Sequence, residues 1–122
     1  MPTGLSILQV AQLVGFAFLL ACGQILFKRV AIDIAGDQLT SIFGQILHNP
    51  MAWLAMCLYG VATGLWIIIL REVPLSVAYL FSALGFVIVP AAAHFIYGEP
   101  ISAKYLIGAA GVIASLYLIA NS

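Results

Sequence analysis

The sequence predicts an all-α integral membrane protein with four transmembrane helices. Three observations lead there. Apolar residues make up 65% of the chain and charged residues 7%, whereas a soluble domain carries about 25% charge, and mean hydropathy is +1.20. The apolar residues fall into runs of about 20, long enough at ~1.5 Å per residue to cross a hydrocarbon core of ~30 Å. One run, 74–97, is bracketed by Arg71-Glu72-Val73-Pro74 and Gly98-Glu99-Pro100. Turns that short make the helices before and after it its antiparallel neighbours.

The first span covers residues 5–27 and ends at Lys28-Arg29, where basic side chains reach the headgroups. Leu19-Leu20-Ala21-Cys22 mimics a lipoprotein cleavage site only loosely. No Lys or Arg precedes residue 28, and the apolar run exceeds the about 7–15 residues of a signal peptide, so the span is read as uncleaved. Gln9, Gln12 and Gln24 are its polar exceptions. Ala17, Ala21, Gln24 and Lys28 share a face that is small in the middle and polar at its end, which suits contact with other helices. Gln24 is then either an amide bonded across helices for stability or a substrate contact.

Residues 30–49 form the long loop. Gly36-Asp37 marks a turn, and Ile42, Phe43, Ile46 and Leu47 have the spacing of a short amphipathic helix on the membrane surface; Asp33, Asp37 and His48 are expected in solvent. The second span, 50–70, contains Gly60 and Gly64, a spacing that lets a neighbouring backbone approach closely, with Trp53 as an interfacial anchor. The third span, 74–97, begins at Pro74, where a missing N–H costs least. Pro90 removes a donor inside it, so a kink is expected unless a neighbour or water satisfies the freed carbonyl. The fourth span, 101–119, is rich in Gly and Ala, and Gly111 and Ser115 form a small-residue pair suited to helix contact. The chain reads as one domain, residues 1–122, without an internal repeat. A single copy leaves little room for a transport pathway, so at least a dimer is expected.

With four spans, Lys28, Arg29, His94, Tyr97, Glu99 and Lys104 gather on one membrane face and Arg71 and Glu72 on the other. Three basic residues against one place the first face in the cytoplasm. No Asp, Glu, Lys or Arg lies near the centre of a span, so the embedded ionisable group of proton or cation coupling is missing; His94 is the nearest substitute, or else an interfacial histidine. Zero formal net charge and only four basic residues argue against a nucleic-acid partner. Cys22 and Cys57 read as small apolar packing residues. No nucleophile, base pair or metal-ligand cluster suggests an enzyme, and no cofactor or metal is implied.

Three stretches in register with these helices, Gly23-Gln24-Ile25-Leu26-Phe27-Lys28, Val73-Pro74-Leu75-Ser76-Val77-Ala78-Tyr79 and Gly98-Glu99-Pro100-Ile101-Ser102, resemble the drug/metabolite transporter superfamily. The match is to its four-helix EamA-like members, the aminoarabinose-lipid flippase subunits. Such a resemblance implies an EamA-like, small multidrug resistance-like bundle in the bacterial inner membrane. It also implies transport of an undecaprenyl- or other polyprenyl-phosphate-linked sugar for lipid A modification, as a homodimer or a heterodimer with a related four-helix subunit. The small multidrug resistance family is a more distant likeness. Its members exchange protons for cationic drugs through a glutamate in helix 1, and that position falls at or near Leu20 here, so cationic dyes are not expected to be pumped. A non-transporting accessory subunit, packing through Gly60 and Gly64, is a third reading.

On the flippase reading the partners are the polyprenyl-phosphate glycolipid and the surrounding membrane lipids. Lys28 and Lys104, with Arg29 beside them, would meet the phosphate through charge-assisted hydrogen bonds, or act only as boundary anchors. Gln24, Tyr79 and Ser82 would bind sugar hydroxyls along the route, and His94 and Glu99 complete the set of substrate-binding residues.

Overall fold

The computed structural model describes residues 5–120, apart from the side chains of 119 and 120, and every regular element among them is helical. Helix α1 spans Ile7–Asp33. Its start is fixed by a capping box: the Ser6 hydroxyl accepts from the Gln9 N–H at 3.1 Å, and the Ser6 N–H donates to the Gln9 side chain at 3.0 Å, which satisfies two of the orphan groups of a helix start. The helix does not end at Lys28-Arg29 as the sequence reading has it. It continues to Asp33 because Val30 stays buried and Arg29 pairs with Asp33 one turn on, at 3.8 Å.

The loop that follows contains helix α2, Leu39–Leu47, with Leu39, Phe43 and Leu47 exposed, the open apolar face that a surface helix needs. Gly36 takes a left-handed φ of 83°. The loop is tied down at two points. Gln45 accepts from the Ala35 N–H at 2.9 Å and donates to the Ala35 carbonyl at 2.8 Å, and the Trp53 indole donates to the Leu47 carbonyl at 2.8 Å.

Helix α3, Pro50–Leu70, starts with Pro50 in its first turn and Asn49 accepting from the Met51 N–H at 2.9 Å. It runs antiparallel to α1 and buries Ala52, Ala55, Ala62 and Ile69, small residues that admit the neighbouring helix. Gly60 and Gly64 are not the point of close approach: a side chain added at either would meet nothing within 4 Å. That role falls to Gly23 of α1, where the ring of Tyr59 lies so close that an added Cβ would stand 2.7 Å from its Cδ2.

The third span is built from α4 (Leu75–Leu80), a 3-10 turn (Phe81–Leu84) and α5 (Gly85–Tyr97). Pro74 caps it with extended ψ of 140° instead of occupying the first helical position. Regularity breaks at Phe81–Leu84, ahead of Pro90, and α5 continues through Pro90. The carbonyl that Pro90 leaves without its helical donor is that of Phe86. It accepts from the Tyr105 hydroxyl at 3.4 Å, so a neighbouring helix supplies what the proline removes. Gly98 closes α5 in the left-handed conformation, φ 68°, donating to the His94 carbonyl at 3.1 Å, while Glu99 N–H reaches Ala93 at 3.4 Å.

Helix α6 covers Ala103–Ala120, and the Ser102 hydroxyl accepts from the Tyr105 N–H at 3.0 Å. It lies beside α4 with most of its surface open, including Leu106, Ile107 and Leu118. The core gathers at the end of the bundle where α1 begins and α3 finishes: Leu13, Phe16, Ala62, Ile69, Val73 and Ala78. Phe16 stacks on Trp66 with ring centroids 4.7 Å apart, which packs the half-buried Trp66 against this core. Cys22 and Cys57 are free and exposed, not packing residues. Three helices, Ile7–Asp33, Pro50–Leu70 and Leu75–Tyr97, are long and apolar enough to cross a membrane, and the described apolar stretch of α6, Ala103–Leu118, is shorter. This is a multi-pass, all-α membrane protein.

Candidate functional site

A groove lies between α1 and the α4–α5 span, around the 3-10 turn. Its larger part, about 880 Å³, is walled by Phe16, Leu20 and Trp66 on one side and by Leu75, Ser76, Tyr79 and Ser82 on the other. Its smaller part, about 280 Å³, continues along α1 past Ala17 and Ala21 to Gln24, facing Gly85, Phe86 and Val89. Leu20 and Ser82 line both parts, so the two adjoin at mid-helix. The walls are apolar except for a few hydroxyls and the Gln24 amide. Such a surface accepts a hydrocarbon chain and offers hydrogen bonds at intervals to something more polar.

Ser82 donates to the Tyr79 carbonyl within its own helix, which leaves the oxygen lone pairs for a ligand, and the Tyr79 ring stands exposed at the mouth. Gln24 donates through Nε2 to the Tyr59 hydroxyl, and Tyr59 also packs against Phe27 with ring centroids 5.1 Å apart. Gln24 is therefore a bridge from α1 to α3. Its amide oxygen has no partner among the described residues.

Beyond Gln24 lies a charged cluster. Lys28 Nζ is 3.1 Å from Glu99 Oε2, with the two side chains 48% and 43% exposed. The turn that carries Glu99 is held against α1 by Tyr97, whose hydroxyl donates to the Ile25 carbonyl at 2.7 Å. His94 Nδ1 lies 2.8 Å from the Glu99 carbonyl. A carbonyl only accepts, so Nδ1 carries the proton and donates. Lys104, exposed in the first turn of α6, joins neither the groove lining nor an ion pair among the described residues. At the opposite end of the bundle Gln9 donates to Glu72 at 3.3 Å.

Of the seven sequence-derived residues, Gln24, Tyr79 and Ser82 lie in the groove, Lys28, His94 and Glu99 lie at its polar end, and Lys104 joins neither set. Sequence reading missed the groove's apolar wall of Phe16 and Trp66, whose aromatic side chains carry no signal apart from core packing, and it missed Ser76. It missed Tyr59 as partner of Gln24 as well, although a tyrosine on the adjoining span is the kind of group a membrane amide needs. Leu20, noted only for the carboxylate it replaces, is the residue at the junction. Among the described residues no group of three His, Cys, Asp or Glu could hold a metal.

No protein-family model matches the chain, and no solved structure matches it either. Curated relatives do. The probable 4-amino-4-deoxy-L-arabinose-phosphoundecaprenol flippase subunit ArnE of Enterobacter sp. (strain 638) is 34% identical over 112 residues, covering 90% of this chain and 95% of the relative. The chain belongs to this flippase-subunit family. A flippase subunit of the same description from Pseudomonas fluorescens (strain Pf0-1) is 32% identical over 104 residues, 84% of this chain and 90% of its own. The Yersinia pseudotuberculosis serotype O:1b (strain IP 31758) flippase subunit is 35% identical over 75 residues, 60% and 66% respectively. The family is one of transporters by its members' names.

Proposed function

We propose that this chain is a non-enzymatic flippase subunit that moves a polyprenyl-phosphate-linked sugar across the bacterial inner membrane. The observation that carries the reading is the groove itself: apolar walls from Phe16 to Val89, hydroxyls and an amide at intervals, and Lys28 past its polar end. The lipid tail stays against the bilayer and Phe16, Leu20 and Trp66, while the headgroup passes Ser82 and Gln24. Lys28 meets the phosphate by a charge-assisted hydrogen bond. Leu20 sits at the junction where a carboxylate would couple cation export to protons, which favours the lipid over a cationic drug. In this reading α6 is the fourth span. Its 18 residues reach roughly 27 Å at ~1.5 Å per residue, close to a thin bilayer core. The open surfaces of α6 and of Gly60 and Gly64 receive a second copy or a related subunit, since one groove open along its side does not enclose a headgroup. Positive-inside orientation puts Lys28, Arg29 and Lys104 in the cytoplasm.

The test is flipping of a fluorescent polyprenyl-phosphate sugar in proteoliposomes, with the chain alone and with its related subunit. Lys28→Ala should cut the rate at least about tenfold, the worth of one charged hydrogen bond; Arg29→Ala, whose side chain pairs with Asp33, should cost far less. No flipping above protein-free vesicles in either assembly, or wild-type rates in Lys28→Ala, would sink the proposal.

A further inference from the structure

Lys28 and Glu99 already pair, so a purely anionic headgroup that draws Lys28 away leaves Glu99 without its partner. The backbone around Glu99 is fixed on three sides. Gly98 and Glu99 N–H groups cap α5 at His94 and Ala93, His94 holds the Glu99 carbonyl, and Tyr97 fastens the turn to α1 at Ile25, one turn before Lys28. The two charged tips remain half exposed on these fixed mounts. They can part without the helices moving.

We propose that Glu99 is a specificity-determining residue, which selects headgroups carrying an ammonium beside the phosphate by exchanging partners with Lys28. The inference rests on the glycolipid reading above. When a zwitterionic headgroup enters, its phosphate takes Lys28 and its ammonium takes Glu99. One ion pair becomes two, and no charge is left alone. When the same sugar enters with its amine acylated, the phosphate still takes Lys28, but Glu99 loses its partner and faces a second negative charge at close range. Selection therefore comes as much from the penalty on the wrong lipid as from the bond to the right one. No atom is transferred, and the pair closes again when the headgroup leaves.

Binding to the purified chain in nanodiscs, read by native mass spectrometry, tests this with two probes: a polyprenyl-phosphate 4-amino sugar and its N-formyl derivative. Wild type should hold the amine form about tenfold more tightly, the difference expected of one charge-assisted hydrogen bond. Glu99→Gln should bring the two lipids within about threefold of each other, a residual on the scale of a neutral hydrogen bond. Glu99→Asp should restore part of the preference, and Lys28→Ala should weaken both lipids alike. Equal binding of the two probes by wild type would overturn the proposal without any variant. So would a preference that survives Glu99→Gln in a chain with wild-type helix content. Failure of wild type to bind either probe points elsewhere: it removes the flippase reading itself, whereas binding of both without discrimination removes only the role of Glu99.

Discussion

Gly23→Ala offers the sharpest test of how α1 and α3 are held together. A carbon in ordinary contact sits about 3.5–4.0 Å from its neighbour. The new Cβ would stand 2.7 Å from Tyr59 Cδ2 and closer still to Cε2, so the ring must retreat by about 1 Å. The ring is not free to do so cheaply, because the Gln24 amide holds its hydroxyl and Phe27 packs on its face. Overpacking of this kind costs about 1–3 kcal/mol, and the loosened bond and ring pair add roughly 0.6 and 0.5–1.5 kcal/mol. Alanine returns ~1 kcal/mol of helix propensity over glycine. The net expectation is a loss of about 2 kcal/mol, measured by reversible unfolding in bicelles. Gly15→Ala, in the same helix with nothing within 4 Å of its added Cβ, should be neutral or slightly stabilising. If Gly23→Ala is as stable as Gly15→Ala, or if its cost persists undiminished in a Tyr59→Leu background, the packing account is wrong.

Two further outcomes are expected. Leu20→Trp should fill the junction of the two groove segments and reduce polyprenyl-lipid binding at least about tenfold, the scale of about 1.4 kcal/mol, while helix content by circular dichroism stays at wild type; undiminished binding would remove the groove from the route. Tyr105→Phe deletes the donor to the Phe86 carbonyl and should destabilise the chain by about 0.6–1.7 kcal/mol in a membrane setting, with faster amide exchange around α5, and no change in either would show that bond to be idle.

Much of this architecture is legible in the sequence because a bilayer restricts the choices. Hydropathy marks the spans, and the short turns at Arg71 and Gly98 force antiparallel neighbours. From that alone Lys28 and Glu99 belong at one end, and Arg71 and Glu72 at the other. What the sequence does not settle is which surfaces touch. Gly60 and Gly64 have the spacing of a close helix contact, but spacing states only that an approach is permitted; the partner ring sits over Gly23 instead. The end of α1 was equally hidden, since Lys28-Arg29 marks a polarity boundary while the backbone follows the buried Val30 and the Arg29–Asp33 pair to a later stop. Of the candidate site, Gln24, Tyr79 and Ser82 converge because helix register puts them there. That Lys28 and Glu99 already occupy each other depends on the cap geometry of one turn, which no periodicity encodes.

The Phe86 carbonyl bears on how the bundle could move. In hydrocarbon no water stands ready to replace the Tyr105 hydroxyl, so drawing α6 away from α5 strands a backbone acceptor. Parting the two helices at that point therefore costs a hydrogen bond to the backbone. Among the described residues the boundary between α1 and α4–α5 is pinned at one end only, where Tyr97 holds the Ile25 carbonyl and Lys28 pairs with Glu99, so any parting of these elements starts along its apolar length. There Leu20 slides past Ser82 without giving up a hydrogen bond, because Ser82 is bonded only to its own helix.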